Sequence, residues 1–231
     1  MLLATLQPVM TQRTGSPILD ILGVFLVVYA AQTLLGMVDA MPGLFVLAPP
    51  VQNEPWTVVT SVYAHANPGH LLSNAVALLL FGYAVAAATT RTRFHLFFLV
   101  TGALAGISQI LFSDLLAETP VVNDLVGAAP LIDATATGGV LGASGAVFAL
   151  LGYLLASNRL VAGLGAVADV PSWVTYFVFV VLAIAVTAAT ASQGVALIAH
   201  FTGLLLGLLA GWFNLLRPPT ADTSTPSQTI Q

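Results

Sequence analysis

Gly142-Ala143-Ser144-Gly145 is the stretch on which the reading of this chain turns. It lies at the front of an apolar run, residues 139–157, wide enough to cross a bilayer. Taken alone, a serine between small residues in such a run is a packing device, because small side chains let helix backbones approach closely in lipid. Two other apolar runs change its meaning. One opens with His70-Leu71-Leu72-Ser73-Asn74, and the other carries Ala199-His200-Phe201-Thr202-Gly203. A serine, a histidine and an asparagine-bearing helix at matching membrane depth form a chemical constellation, provided the chain can bring them together.

Composition sets the solvent. Of 231 residues, 58% are apolar and 6% charged, where a soluble domain carries about 25% charged residues. Mean hydropathy is +0.98. So little charge cannot cover a water-facing surface, and the surrounding medium is largely lipid. The absence of cysteine excludes a disulfide framework and thiolate chemistry. The net charge is −4 and the five basic residues are all arginines, so there is no basic patch and no nucleic-acid partner is expected. No metal and no cofactor is expected either.

Six apolar runs, about 17–38, 70–88, 94–113, 139–157, 173–191 and 194–216, predict an all-α polytopic membrane bundle of six transmembrane helices. The first is too long for the apolar core of a signal peptide and reads as a retained helix. Residues 1–16 form a short head. Residues 39–69 hold Pro42, Pro49, Pro50, Pro55 and Pro68, too many for a membrane helix. They also hold Leu44-Phe45-Val46-Leu47 and an apolar, aromatic stretch from Trp56 to Tyr63, which predicts a loop lying in the interface. Residues 114–137 are a polar connection, 158–172 a glycine-rich link, and 217–231 a disordered tail.

The arginines orient the bundle. Arg13, Arg91, Arg93, Arg159 and Arg217 all fall on one side of a six-helix arrangement. Asp39, Glu54, Asp114, Glu118, Asp124 and Asp133 fall on the other. The positive-inside rule then puts both termini in the cytoplasm, and the expected location is the plasma membrane. Adding or removing one helix would scatter the arginines over both sides, so the same pattern supports the helix count. With this topology the runs bearing Asn74, Ser144 and His200 all start at the outer face. At about 1.5 Å per residue, His70, Asn74, Ser144 and His200 lie within roughly 10 Å of it.

Helix phase favours convergence. His70 and Asn74 are spaced i, i+4 and share a face. Gly203, Gly207 and Gly211 follow His200 as a bare stripe, and Gly145, Ala149 and Gly152 form another. Such stripes allow the close approach that a Ser144–His200 hydrogen bond requires. Burying a histidine in a membrane is costly and marks function.

A serine hydroxyl becomes a nucleophile when a neutral histidine takes its proton. The tetrahedral intermediate of acyl transfer then needs donors for its oxyanion. His70 and Asn74 can donate from side chains and Ser144 from its backbone amide, with Gly142 and Gly145 leaving that backbone accessible. No carboxylate lies at this depth, so the residues argue for a Ser–His dyad rather than a triad.

These pieces resemble the rhomboid family of intramembrane serine proteases. Gly142-Ala143-Ser144-Gly145 matches its G-x-S-G nucleophile motif, Ala199-His200 with Gly203 and Gly207 its base helix, and His65, His70 and Asn74 its oxyanion helix. The resemblance runs from about residue 17 to 216. It implies that Ser144 is the nucleophile and His200 the base, that His70 and Asn74 assist the oxyanion, and that Gly142 shapes the site. It also implies a Ser–His endopeptidase cutting transmembrane segments of single-span proteins near the outer face. Residues 39–69 would lie beside the substrate's way in, and the fifth run, with Trp173, Tyr176, Phe177 and Phe179, would be a lateral gate.

Three positions depart from the family pattern. Phe148 stands where a tyrosine often supports the histidine ring, so stacking is retained and a hydroxyl contact is not. Thr57 follows Trp56 where an arginine is frequent, and Ala86 stands where a glutamate is common near the end of the second helix. Other polar residues have plainer readings: His95 as an interfacial residue, Asn158 as a helix end, Gln109 as a buried packing contact. His65 either lines the water entrance or packs the loop. Two rival readings are a catalytically inactive relative that binds membrane helices and a small transporter. The transporter needs polar groups through the whole membrane thickness, whereas the second, fourth and sixth runs are almost wholly apolar below their outer third.

Overall fold

A computed structural model describes residues 15–117, 139–157, 172–189 and 196–218. The expected head, the glycine-rich link with Asn158 and the tail fall almost entirely outside these residues, as does most of the polar connection. Among the described residues the regular secondary structure is helical, apart from one isolated bridge, Leu47 to Val140.

The first helix, α1, is Pro17–Gly36, with Pro17 at its first position, where a missing N–H costs nothing. Ile18, Ile21, Phe25 and Gln32 are buried along one stripe, while Leu19, Leu26, Val27 and Leu34 are exposed. A helix with large apolar side chains on its outer face is built for lipid. After it come two short helices, α2 (Met41–Phe45) and α3 (Thr57–Thr60), and a 3-10 turn, Ser61–Tyr63, in the loop expected to be interfacial.

The second long apolar segment is assembled from α4 (Pro68–Ala77), a π-helical turn (Leu78–Gly82) and α5 (Tyr83–Ala87). It begins at Pro68, two residues ahead of the hydropathy-based boundary at His70. Asn67 caps it, its side chain accepting the His70 amide, and Pro68 pre-sets the first turn. Next come α6 (Arg91–Ala117), α7 (Ser144–Ser157), α8 (Ser172–Ala189) and α9 (Leu197–Trp212). Three segments are long and apolar enough to cross a membrane: Pro17–Gly36, Pro68–Ala87 and Arg91–Ser113. Ser144–Ser157, Tyr176–Thr187 and Leu197–Trp212 are shorter apolar helices.

The largest departure from the expected boundaries is at α7, which starts at Ser144 rather than at residue 139. Gly139 and Gly142 have φ of +107° and +136°, which no continuing helix tolerates. Residues 139–142 instead run as a non-helical turn held to the interfacial loop. Leu47 and Val140 exchange backbone hydrogen bonds at 2.9 and 2.8 Å, and the Gly142 amide donates to Ser61 O at 2.9 Å.

Helix α7 is the hub. Ala146, Val147, Ala149, Leu150 and Tyr153 are all buried. On one side Phe25, Leu78, Phe94 and Phe98 pack with Leu150 and Tyr153 in a single cluster. On the other side α9 lies backbone to backbone with α7. A Cβ on Gly203, Gly207 or Gly211 would meet the carbonyl oxygen of Gly145, Ala149 or Tyr153, respectively, and one on Gly152 would meet Leu204 O. The two small-residue stripes therefore face each other, as their spacing predicts.

At one end of the bundle Arg91, Arg93 and Arg217 gather. Arg91 makes a bidentate pair with Asp20 at 2.7 and 2.8 Å, and His95 Nε2 lies 2.9 Å from the same carboxylate. Arg93 donates to Arg217 O and Thr89 to Leu216 O, which ties down the segment just after α9. His95 is thus a partner of Asp20.

At the other end α1 holds the interfacial loop. Gln32 is 4% exposed. Its side chain accepts the His65 amide at 2.9 Å and donates to His65 O at 3.3 Å. Gln32→Ala would strand both backbone groups, and is expected to destabilise the protein by about 2 kcal/mol. Chemical unfolding in detergent micelles would measure the loss.

Candidate functional site

The 139–143 turn delivers Ser144 as the first residue of α7. The first amides of a helix have no acceptor within it and carry the positive end of its dipole. The first backbone bond of α7 runs from the Val147 amide to Ala143 O. Ser144, half-buried, thus sits where its own amide and that of Gly145 point away from the helix body.

Gly142 has two reasons to be glycine. Its φ is +136°, and a Cβ there would lie 2.7 Å from His70 Cε1 and 2.9 Å from Nε2. The His70 imidazole is therefore laid directly against the turn that carries Ser144. Its Nδ1 accepts from the Ala66 amide at 3.4 Å. That contact leaves the proton on Nε2 in the neutral ring, the nitrogen nearer Gly142. Asn74, one turn further, is 4% exposed, and its Nδ2 donates to His70 O at 2.9 Å. One amide hydrogen of Asn74 is engaged by its own helix and the second remains for another acceptor.

His200 is 8% exposed and stacks on Phe148, with ring centroids 4.3 Å apart and planes 18° from parallel. Phe148 lies one turn below Ser144 on α7, so its ring is a shelf that holds the imidazole against that helix. Gly203, one turn below His200, abuts Gly145. The shelf and the glycine contact bring the start of α9 onto the start of α7. Among the described residues no acid pairs with His200, and its Nδ1 has no hydrogen-bond partner. A cleft lined by Ser61, Gly102, Ala105, Gly142 and Ala199 reaches Ser144.

His65 packs the loop. It is 1% exposed, and lies 4.6 Å edge-on from Phe25 and 5.3 Å from the His70 ring. Burial, reinforced by His70 beside it, pushes its imidazole down to about 4, so it is neutral at physiological pH. Thr57 is buried and donates to Glu54 O at 2.6 Å. The loop is anchored further by Trp56 Nε1 donating to Gly43 O and Thr60 Oγ1 to Leu44 O. Ala86 packs against the main core cluster.

Two contributors escape a reading from sequence pattern. Ser61 holds the turn ahead of Ser144 through its carbonyl, and a backbone acceptor leaves no mark on residue choice. Gln109 reaches across to accept the Ala199 amide at 3.1 Å. Its polarity in an apolar run was the available signal, but polarity does not name a partner on another helix.

The chain matches the family model of the rhomboid domain over residues 52–217, well over half its length. No curated protein matches it. Members of this family are generally serine proteases acting on membrane proteins within the bilayer, and some are inactive. The matched segment carries the serine turn, both histidine-bearing helices and most of the interfacial loop, and the chain belongs to the rhomboid family.

Proposed function

We propose that this protein is an intramembrane serine endopeptidase that cuts single-span membrane proteins near the outer face with a Ser144–His200 dyad. The observation that carries the reading is the docking of α9 on α7. His200 stacks on Phe148, and Gly203 abuts Gly145, the residue next to Ser144.

The chemistry follows from this arrangement. Neutral His200 accepts the Ser144 proton as Oγ attacks the scissile carbonyl, and the carbonyl π pair moves onto oxygen. The oxyanion forms over the start of α7, where the amides of Ser144 and Gly145 and the helix dipole stabilise it. His70 Nε2–H and the second Asn74 amide hydrogen are the side-chain donors. Collapse of the intermediate breaks the C–N bond, and protonated His200 gives its proton to the leaving amine. Water, deprotonated by His200, then hydrolyses the acyl-enzyme. The lack of an acid partner for His200 among the described residues supports a dyad.

The same reading has six spans, with the arginine-rich end cytoplasmic and the site opening toward the outer face of the plasma membrane. Substrate helices must unwind locally, because a helical backbone hides its carbonyls in hydrogen bonds. The test is cleavage of a single-span substrate by the protein in liposomes, together with fluorophosphonate labelling of Ser144. Labelling without cleavage of any span in a diverse library would leave a reactive serine with no peptidase role. Failure of the folded protein to label would favour an inactive membrane-helix-binding relative.

Phe148 gives a finer expectation. An aromatic pair contributes about 1 kcal/mol beyond its buried area. Phe148→Ala is expected to lower kcat roughly fivefold or more by freeing the His200 ring. Phe148→Tyr, which keeps the shelf, should stay within about twofold of the parent. Steady-state cleavage in liposomes reads both.

A further inference from the structure

We infer that α6 sets the rotation of α9, and hence the position of His200, through two polar tethers made by Ser108 and Gln109. Gln109 Oε1 accepts the Ala199 amide at 3.1 Å, and Ser108 Oγ and Thr202 Oγ1 share a hydrogen bond of 2.8 Å. Ala199 and Thr202 are spaced i, i+3 and flank His200 on the face of α9 turned toward α6. The His200 ring itself rests on Phe148, whereas Ser108 and Gln109 hold α9 at Thr202 and Ala199. They are positioning residues, and the proposal rests on the Ser144–His200 dyad.

The need for them is physical. Ala196, ahead of α9, has no side chain able to cap, and no side-chain cap is made there. The Ala199 amide belongs to the first turn and has no acceptor inside the helix. In an apolar environment an unpaired amide is costly. Gln109 supplies the missing cap from a neighbouring helix. Gln109 is itself held, its Nε2 donating to Ser113 Oγ at 3.0 Å, and Ser108 Oγ is also anchored to Ala105 O at 2.7 Å. The tethers therefore start from side chains that are already fixed.

The glycine stripe alone does not fix rotation. Glycines at Gly203 and Gly207 give a smooth contact along which α9 can turn about its axis. A turn of about 20° carries an atom on the helix surface, about 5–6 Å from the axis, through about 2 Å. Misplacing a reacting group by about 1 Å costs about a hundredfold in rate. Two tethers on either side of His200 remove that freedom. They should act on kcat, since neither touches the substrate.

The experiment uses the full chain in liposomes with a single-span substrate, and fluorophosphonate labelling of Ser144 in parallel. The variants are Gln109→Met, which keeps length without an acceptor, Gln109→Glu, which restores the acceptor, Ser108→Ala, Thr202→Val, and the Ser108→Ala/Thr202→Val double. Gln109→Met and Ser108→Ala are each expected to lower kcat about tenfold, and labelling in proportion, with KM within about twofold. Gln109→Glu should recover most of the loss. Ser108→Ala should cost nothing further in the Thr202→Val background, because both remove the same bond. Unchanged kcat in folded Gln109→Met and Ser108→Ala, or additive losses in the double, would overturn the tethers while leaving the dyad standing. If Gln109→Met does not fold, the Ser108/Thr202 cycle decides alone. A parent that neither labels nor cleaves removes the dyad, and the tethers' proposed role with it.

Discussion

Ser144→Ala is expected to reduce cleavage by at least about 10⁴-fold, to the background of the uncatalysed reaction on the assay's timescale. The hydroxyl is the only proposed group that forms a bond to the scissile carbon, and no cysteine exists to stand in for it. His200→Ala should lose as much, because a serine without a base keeps its proton near neutral pH. The double variant should be no worse than either single one, since the two groups perform one step. This non-additivity separates the dyad from a case in which His200 merely supports the fold, where the losses would multiply. Thermal melting of each variant completes the measurement. Ser144 is half-buried at a helix start, and alanine removes only its hydroxyl, so the replacement should leave the melting curve almost unmoved. A Ser144→Ala protein cutting at more than about one per cent of the parent rate would remove the nucleophile assignment. His200 is buried on Phe148, so some loss of stability is expected there alongside the loss of rate.

The sequence carried the contacts made by residue size more clearly than those made by backbone. The glycine stripes on α7 and α9 could be read because only small residues permit that approach, and their i, i+4 spacing names the face. His70 could be placed near Ser144 only through the shared depth of their helices; the actual contact, its ring on Gly142, depends on a φ that hydropathy does not report. For the same reason the apolar run from residue 139 reads as helix throughout, although Val140 and Leu141 belong to a turn. Their hydrophobicity serves burial, and the flanking glycines carry the conformational signal. The start of α4 was legible in Asn67-Pro68, a local cap that a purely hydropathic boundary ignores. Gln32 and Asp20 are different: each is a polar residue in an apolar helix, and each finds its partner far along the chain, on His65 or on Arg91 and His95. Polarity in such a helix announces that a partner exists and leaves its identity to the tertiary fold. Phe148 shows another case: its stacking role was implied by the family resemblance, in which an aromatic ring one turn from the serine supports the histidine, and the ring does lie on His200.

Gly207→Val is expected to lower both stability and cleavage, by about 3 kcal/mol or more and by about a hundredfold. A Cβ at this position would overlap Ala149 O and the carbon that bears it, and all three nearest atoms are backbone. Flexible side chains can swing aside, but a helix carbonyl cannot. Relief requires α9 to move off α7 as a body, by something on the order of 1 Å for a single carbon and more for a branched side chain. That motion also lifts His200 from the Ser144 end, two turns away on the same rigid helix. Gly207→Ala should therefore fall between the parent and Gly207→Val in both measurements. Gly23 supplies the contrast. It lies within α1, where a Cβ would meet nothing within 4 Å. Gly23→Ala gains helix propensity without a clash, and should leave the protein as stable as the parent or up to about 1 kcal/mol more so. If both alanine variants behave alike in unfolding and cleavage assays, close packing of α7 and α9 is not what holds His200 in place. A graded loss from Gly207→Ala to Gly207→Val, with Gly23→Ala neutral, ties the rate to the distance between two helix backbones.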